Sequence, residues 1–271
     1  MGFLCSIPAA PLDALIEKIW DWDMPAPAHH YERVLPLPGA ALIINLHEDE
    51  TRVYADDATR HCKRSAAAVL GGPMLRSQII DTAEQIRVMG VVFQPGGVHA
   101  FTAEDLAGMA GRDVDLHDLF GVTADRLRQR LLETQAPARR LELLEDWLRR
   151  RLRIQAISPA IRHAIEALNR VPQVTCIPLI ARAIDMSDRR FTMQFSRQVG
   201  MKPKHYARLM RFRAVISHAH YQPAVNWSAV AADCGYADQA HLSHEFRSFA
   251  GVTPSTFMAS RGPHINHLPL D

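Results

Sequence analysis

Hydrophobic positions along the chain change their spacing part-way through. From Leu12 to Trp22, the residues Leu12, Leu15, Ile16, Ile19 and Trp20 recur at threes and fours, which predicts an amphipathic helix. After a break at Pro25 and Pro27 come short runs rich in strand formers: Tyr31–Leu35, Ala40–Leu46, Arg52–Tyr54, Ala67–Leu70, Gln78–Ile80 and Ile86–Phe93. Turn signals at Pro38-Gly39, Asp56-Asp57, Gly71-Gly72-Pro73 and Pro95-Gly96-Gly97 separate them. Short strands with no helix between them predict an antiparallel sandwich or small barrel. A short helix is expected over Thr102–Met109 and an extended return over Asp113–Phe120. The helical period then takes over, with Leu127, Leu131 and Leu132 inside Thr123–Thr134. Leu141, Leu144, Trp147, Leu148 and Leu152 follow inside Pro137–Leu152, whose proline suits a first turn.

Beyond Ser158-Pro159, which cap a further helix, one pattern occurs twice. The first copy reads Ala181, Ser187, Phe191, Phe195, Gly200, Pro203, Tyr206. The second reads Ala231, Asp238, Leu242, Phe246, Gly251, Pro254, Phe257. Ser187 and Asp238, Phe195 and Phe246, and Gly200 and Gly251 are each 51 residues apart, whereas Ala181 and Ala231 are 50 apart. The second copy therefore has one extra residue in its turn. A repeat of this length marks one supersecondary unit. Each copy predicts a short helix, a tight turn, an N-cap (Ser187 or Asp238), and a second helix with an apolar stripe at every fourth residue. Gly200 and Gly251 suit the C′ position. Between the copies, Pro203–Ala219 is expected to be one continuous helix carrying Tyr206, Leu209, Met210, Phe212 and Ile216.

A short helix, a tight turn and a second helix with a polar, basic outer face is the helix-turn-helix pattern. Over roughly Ser158 to Arg261 the pair resembles the double helix-turn-helix domain of AraC/XylS-type transcription regulators. The match is strongest at Gly235-Tyr236, Asp238-Gln239, His241-Leu242-Ser243, Phe246 and Gly251-Val252-Thr253-Pro254. Family members usually carry Arg two residues before each phenylalanine, where this chain has Met193 and His244. By position, the resemblance implies base reading by Arg189, Thr192 and Met193 in the first copy. In the second copy it implies Gln239, Ala240, Ser243 and His244. The front segment is similar, more loosely, to the cupin-like N-terminal domains of such regulators.

Charge divides the same way. Residues 1–122 hold 9 Lys and Arg against 17 Asp and Glu; residues 123–153 hold 9 against 5, and residues 154–271 hold 13 against 7. The basic excess falls on the repeats, as attraction to phosphate requires. Arg190, Arg197, Lys202, Lys204, Arg208 and Arg247 are the candidate phosphate contacts. Cys5, Cys62, Cys176 and Cys234 are scattered without CxxC spacing, which predicts reduced thiols of a cytoplasmic protein. The histidines of the front half lack the spaced pair of a metal-binding cupin, because His29 and His30 are adjacent and would point to opposite faces of a strand. No metal or other cofactor is expected, and no run approaches the ~20 apolar residues a membrane helix needs.

These readings predict an α+β chain of two domains. Residues 1–122 would form a cupin-like antiparallel β-barrel or sandwich for sensing, and 123–153 a helical dimerisation or linker segment. Residues 154–261 would form the all-α DNA-binding domain, with motifs at 177–200 and 228–251, and 262–271 a disordered tail. Alternate residues of the strongest strands would line any cavity. On the first strand they are Leu42, Ile44 and Leu46, or else Ile43 and Asn45; on the second they are Met89, Val91 and Phe93, or else Val88 and Val92, since a one-residue slip exchanges the sets. The effector candidates are Ile44, Asn45, Leu46, His47, Val91, Phe93 and Gln94, for a small apolar or aromatic molecule. The family's plan implies a homodimer through Leu141, Leu144, Leu148 and Leu152, and RNA polymerase as a partner. The leucines could equally pack down on the barrel. Two alternatives remain open: a DNA-associated enzyme whose barrel does chemistry, and a dimer that binds DNA without an effector.

Overall fold

The computed structural model describes residues 2–55, 59–102, 104–153, 157–170, 172 and 176–270; the expected Asp56-Asp57 turn lies outside them. The chain forms two units, an antiparallel β unit followed by an all-α unit. In chain order the first holds β1 (Gly2–Ser6), β2 (Ile16–Asp23), β3 (Tyr31–Val34), β4 (Ala41–Asn45), β5 (Glu50–Tyr54), β6 (Cys62–Ala66), β7 (Ala68–Gly71), β8 (Gln78–Asp81) and β9 (Arg87–Phe93). Next come α1 (Leu106–Met109), β10 (Asp113–Asp115), α2 (Leu116–Phe120), α3 (Val122–Glu133) and α4 (Pro137–Arg149). The second unit runs α5 (Pro159–Arg170), α6 (Ile177–Ala183), α7 (Asp188–Val199), α8 (Pro203–His220), α9 (Trp227–Asp233), α10 (Gln239–Ala250) and α11 (Pro254–Ser260), and the chain returns in β11 (His267–Leu270).

Six strands form one sheet in the order β1-β2-β9-β4-β7-β10, and five form the other in the order β11-β3-β8-β5-β6. One face of the six-stranded sheet carries Leu42, Ile44, Met89, Val91 and Phe93. These pack with Leu127 and Leu131 of α3 and with Leu141, Leu144, Trp147 and Leu148 of α4 in one buried core. Pairing of Ile43 with Val69 and Gly90, and of Asn45 with Val88, places the other set on the opposite face, toward the five-stranded sheet. There Trp20 lies so close over Gly90 that a Cβ would meet its indole at 2.4 Å, which is why a residue without a side chain stands in mid-strand. Contacts at two edges show that these faces look at each other. Lys63 reaches Asp113 at 3.9 Å, and the His264 ring sits 5.9 Å from Trp22 and 6.3 Å from His267.

Three expectations need correcting. The predicted helix Leu12–Trp22 is a turn, bonded from Ile16 N to Leu12 O, followed by β2. The register of β2 against β9 shifts between Ile16 and Lys18, so Ile16 and Ile19 both point into the core. A bulge thus gives a strand the three-residue spacing that alone reads as helical. The return over Asp113–Phe120 is extended for three residues and then becomes α2. The tail expected to be disordered contains β11, which adds to the edge of the five-stranded sheet by pairing Leu268 with Arg33 and Pro269 with Glu32. Proline lacks a ladder donor and is tolerated at such an edge.

Candidate nucleic-acid interface

Both repeats fold as helix, turn, helix, and the same bonds build each. Met186 N donates to Ala181 O at 2.9 Å, and Tyr236 N donates to Ala231 O at 2.8 Å. Both alanines are buried where the two helices of a motif cross. The turn is carried by a left-handed residue in each copy, Asp185 (φ 59) and Gly235 (φ 75). Ala237, which follows Tyr236, is the extra residue that changes the offset from 50 to 51. Ser187 then accepts from Arg190 N at 3.4 Å and Asp238 from His241 N at 2.7 Å, capping α7 and α10. Both helices end in a left-handed glycine, Gly200 at φ 89 and Gly251 at φ 74.

The apolar stripes of α7 and α10 are spent on one core. Phe191, Phe195 and Val199 are fully buried, as are Leu242, Phe246 and Phe249 to within 1 %. The connecting helix α8 contributes Tyr206, Leu209, Phe212, Val215 and Ile216 to that core, and Tyr206 Oη donates to Asn169 Oδ1 at 2.8 Å. A single helix packed into both motifs holds α7 and α10 in a fixed relation.

What remains outward is polar and basic. Arg189, Arg190 and Arg197 are exposed along α7 with Met193, which is 66 % exposed, while Thr192 is half-buried. On α10 Gln239, Ala240, His244 and Arg247 are exposed and Ser243 is half-buried. Lys202 and Lys204 are exposed at the start of α8, and Arg208 is half-buried one turn later. Gln239 Oε1 already accepts from Ser228 Oγ at 3.1 Å, and Arg208 Nε donates to Glu245 Oε1 at 3.1 Å. Arg211, His241 and Glu245 were missed by the sequence reading. The spacing of Lys204, Arg208 and Arg211 along one side of α8 is the signal that could have found the arginine.

The comparisons decide the family of this unit. Residues 180–260 match a family model described as a helix-turn-helix domain, and residues 6–115 match a domain of unknown function, DUF6597. The C-terminal unit is an AraC-type helix-turn-helix domain. That domain takes up the C-terminal part of the chain, over residues 180–260. It is similar to ToxT from Vibrio cholerae at 9 % identity, covering 96 % of this chain and 98 % of that one, with a TM-score of 0.49. A structure of unsaturated fatty acid bound wild-type ToxT from Vibrio cholerae aligns at 11 % identity over 94 % of each chain, with a TM-score of 0.45. The C-terminal domain of AraT, a response regulator from Geobacillus stearothermophilus, aligns at 18 % identity. It covers 41 % of this chain and 92 % of that one, with a TM-score of 0.37. No curated protein matches.

The AraC-type domain is docked on the β unit. Helix α1 packs against α7, and a Cβ at Gly200 would meet the Pro73 ring at 2.7 Å. Ser77 N donates to Phe249 O at 2.7 Å, and Arg213 donates to Asn266 Oδ1 at 2.8 Å.

Two groups of candidates take other places. Leu141, Leu144 and Leu148 are buried against the strands of their own chain, and the half-buried Leu152 packs beside them. The outward side of α4 carries Arg139, Glu142 and Arg149 instead. Of the effector candidates, Ile44, Leu46, Val91 and Phe93 are packed under α3 and α4, on the side away from the other sheet. Asn45 is consumed by a turn. Its Oδ1 accepts from His47 N and Glu48 N at 2.8 Å each, and its Nδ2 donates to Glu50 O at 3.0 Å. His47 is exposed, and Gln94 is half-buried at the end of β9. Among the described residues no three His, Cys, Asp or Glu side chains converge as a metal ion needs, and no helix is long and apolar enough to cross a membrane.

Proposed function

We propose that this protein regulates transcription by placing α7 and α10 in two successive major grooves of promoter DNA, acting in the cytoplasm with RNA polymerase. The observation that carries this reading is the pair of outward polar helix faces held by one connecting helix. Arg189, Thr192 and Met193 on α7, and Gln239, Ala240, Ser243 and His244 on α10, are the base readers. Arg190, Arg197, Lys202, Lys204, Arg208 and Arg247 contact phosphates. Arg bidentate to guanine and Gln to adenine are the most informative pairs, each worth about 1–3 kcal/mol of discrimination. The expected result concerns Arg189→Ala, tested on sequences selected from a random DNA pool. Affinity should fall by that amount for the selected sites and much less for unrelated DNA. An equal loss on every sequence would make Arg189 a phosphate contact.

A second reading adds an effector to the β unit. The face between the sheets is lined by Trp20, Val34, Ile43, Val53 and Ile80, all of them half-buried rather than closed over. We place a small apolar or aromatic ligand there, on the side opposite to Ile44 and Val91. A binder at a hundredfold excess over its Kd should stabilise the protein by about 2.7 kcal/mol in thermal denaturation. Ile43→Trp should abolish that gain while Val91→Ala leaves the ligand's effect in place. If no small aromatic or fatty acid stabilises the protein, ligand-independent DNA binding stands instead.

A further inference from the structure

A second site lies between the two motifs. A cleft of about 750 Å³ opens between the start of α6, one side of α8 and the middle of α10. Lys204, Arg208 and Arg211 line it from α8, and His241, His244 and Glu245 from α10. Glu245 is 2 % exposed. It accepts from Arg208 Nε at 3.1 Å and from Arg211 Nη2 at 3.3 Å, and it stands 3.5 Å from His241 Nε2. Two guanidinium groups on a helix surface are thereby held in fixed positions before anything binds, and ordering them on association costs less. Arg208 also lies over the Phe249 ring at 5.5 Å, and Arg211 over Tyr236 at 5.4 Å.

One buried carboxylate against three cations leaves the cleft with positive charge in excess. Lys204 is exposed and Arg208 half-buried on the wall of the cleft, so an acceptor entering it meets cationic donors that still face solvent. An oxyanion supplies the missing charge and accepts from those donors. His244 belongs at once to the lining and to the exposed row of α10, so a duplex lying on that row passes the mouth of the cleft.

We propose that this cleft seats a backbone phosphate of the DNA that runs from one major groove to the next. The assignment rests on the DNA-binding reading above. It adds Arg211 and His241 to the interface and gives Glu245 the role of positioning their charges. Sequence plays no part in such a contact, because every backbone offers the same oxygens.

The chain carries its own reporter. Cys176 lines the cleft and is exposed, while Cys5, also exposed, is on β1. The full chain is treated with iodoacetamide, alone and with a duplex long enough for both motifs, and alkylation is followed peptide by peptide. Binding is recorded in the same samples by fluorescence anisotropy. With duplex at a hundredfold excess over Kd about 1 % of the protein is free, so labelling of Cys176 should slow by up to ~100-fold while Cys5 is unaffected. Lys204→Gln with Arg208→Gln should reduce the slope of log affinity against log salt by roughly 0.9, the value for one phosphate, and equally for every sequence. Unchanged Cys176 labelling under full duplex occupancy would overturn the proposal. So would protection by inorganic phosphate alone, without protection by bound duplex, which would make the cleft a seat for a free anion. A protein that shifts no duplex at all would instead sink the DNA-binding reading, and anisotropy detects that independently of the thiol.

Discussion

Replacing Arg140 by alanine is expected to destabilise the protein by about 3–5 kcal/mol, because it strands a buried carboxylate. Arg140 on α4 is fully buried, and Asp21 on β2 is 1 % exposed. Their contact is a fork, with Nε donating to Oδ2 at 2.6 Å and Nη2 to Oδ1 at 2.7 Å. The remaining nitrogen, Nη1, donates to the carbonyls of Thr134 and Gln135 at 3.1 and 3.2 Å, in the loop before α4. The guanidinium is thus matched on every side. The hydrogen bonds to Asp21 raise its already high pKa further, so the guanidinium keeps its charge. The pair is spent on joining α4 to the strands, and removing one member leaves the other charged and dry. Urea denaturation measures the loss, with an unchanged slope showing that the two states are the same. The double replacement Asp21→Leu with Arg140→Met should recover much of it, since two apolar side chains of similar size need no partner. A loss below about 1 kcal/mol for Arg140→Ala would mean that water reaches the pair as it reaches surface ion pairs.

How far the sequence carried the fold follows from where each signal is local. In α7 and α10 the cap, the apolar stripe and the closing glycine lie within one helix and agree with one another. The helices were therefore legible from Ser187 to Gly200 and from Asp238 to Gly251, down to the extra residue at Ala237. For β2 the local signal misled, because a bulge at Ile16–Lys18 is a property of its pairing with β9 and has no mark in its own residues. The strand His267–Leu270 exists because β3 has a free edge more than two hundred residues earlier, and Gly262-Pro263 beside it reads as a breaker. The leucines of α4 show a different limit. Periodicity finds an apolar stripe but does not say what covers it; Asp21 and Arg140, the polar pair that answers this, are 119 positions apart. The inward set of β4 and β9 was open for the same reason, since either set is apolar and both faces of that sheet are covered. In the cleft, Lys204 and Arg208 were legible as basic residues, whereas Glu245 reads as an ordinary surface acid until α8 and α10 are brought together.

Removing residues 263–271 should convert one cooperative unfolding transition into two. Leu268 is 1 % exposed and shares a core with Leu35, Phe246, Phe249 and Phe257. Its strand is hydrogen-bonded into the β unit, while its side chain is buried with the helices of the AraC-type domain. Arg213 on α8 bonds the adjoining Asn266, and Arg33 on β3 donates to Ser77 Oγ at 3.0 Å beside Gly251. The tail is a strap that gives the two units a common core, and a common core is what makes units unfold together. Leu268→Ala should cost about 2–5 kcal/mol, the range for emptying a leucine site in a packed core. Calorimetry reads the outcome directly, with a single peak for the intact chain and two for the truncated one. Acid should weaken the same strap. Burial alone would raise the Glu32 carboxyl, but hydrogen bonds and charge from His267 and then His29 outweigh it and hold the group at about 2, against 4.5 in the unfolded chain. A depressed carboxyl contributes stability that is complete above pH 4.5 and is lost as pH falls toward 2, because the unfolded chain takes up the proton first. Glu32→Gln should therefore flatten the loss of stability across that window, as should the truncation, which removes His267. A truncated protein that still melts in one transition, with the acid dependence of the intact chain, would show that the contacts of α1 with α7 and of Ser77 with Phe249 couple the units without the strap.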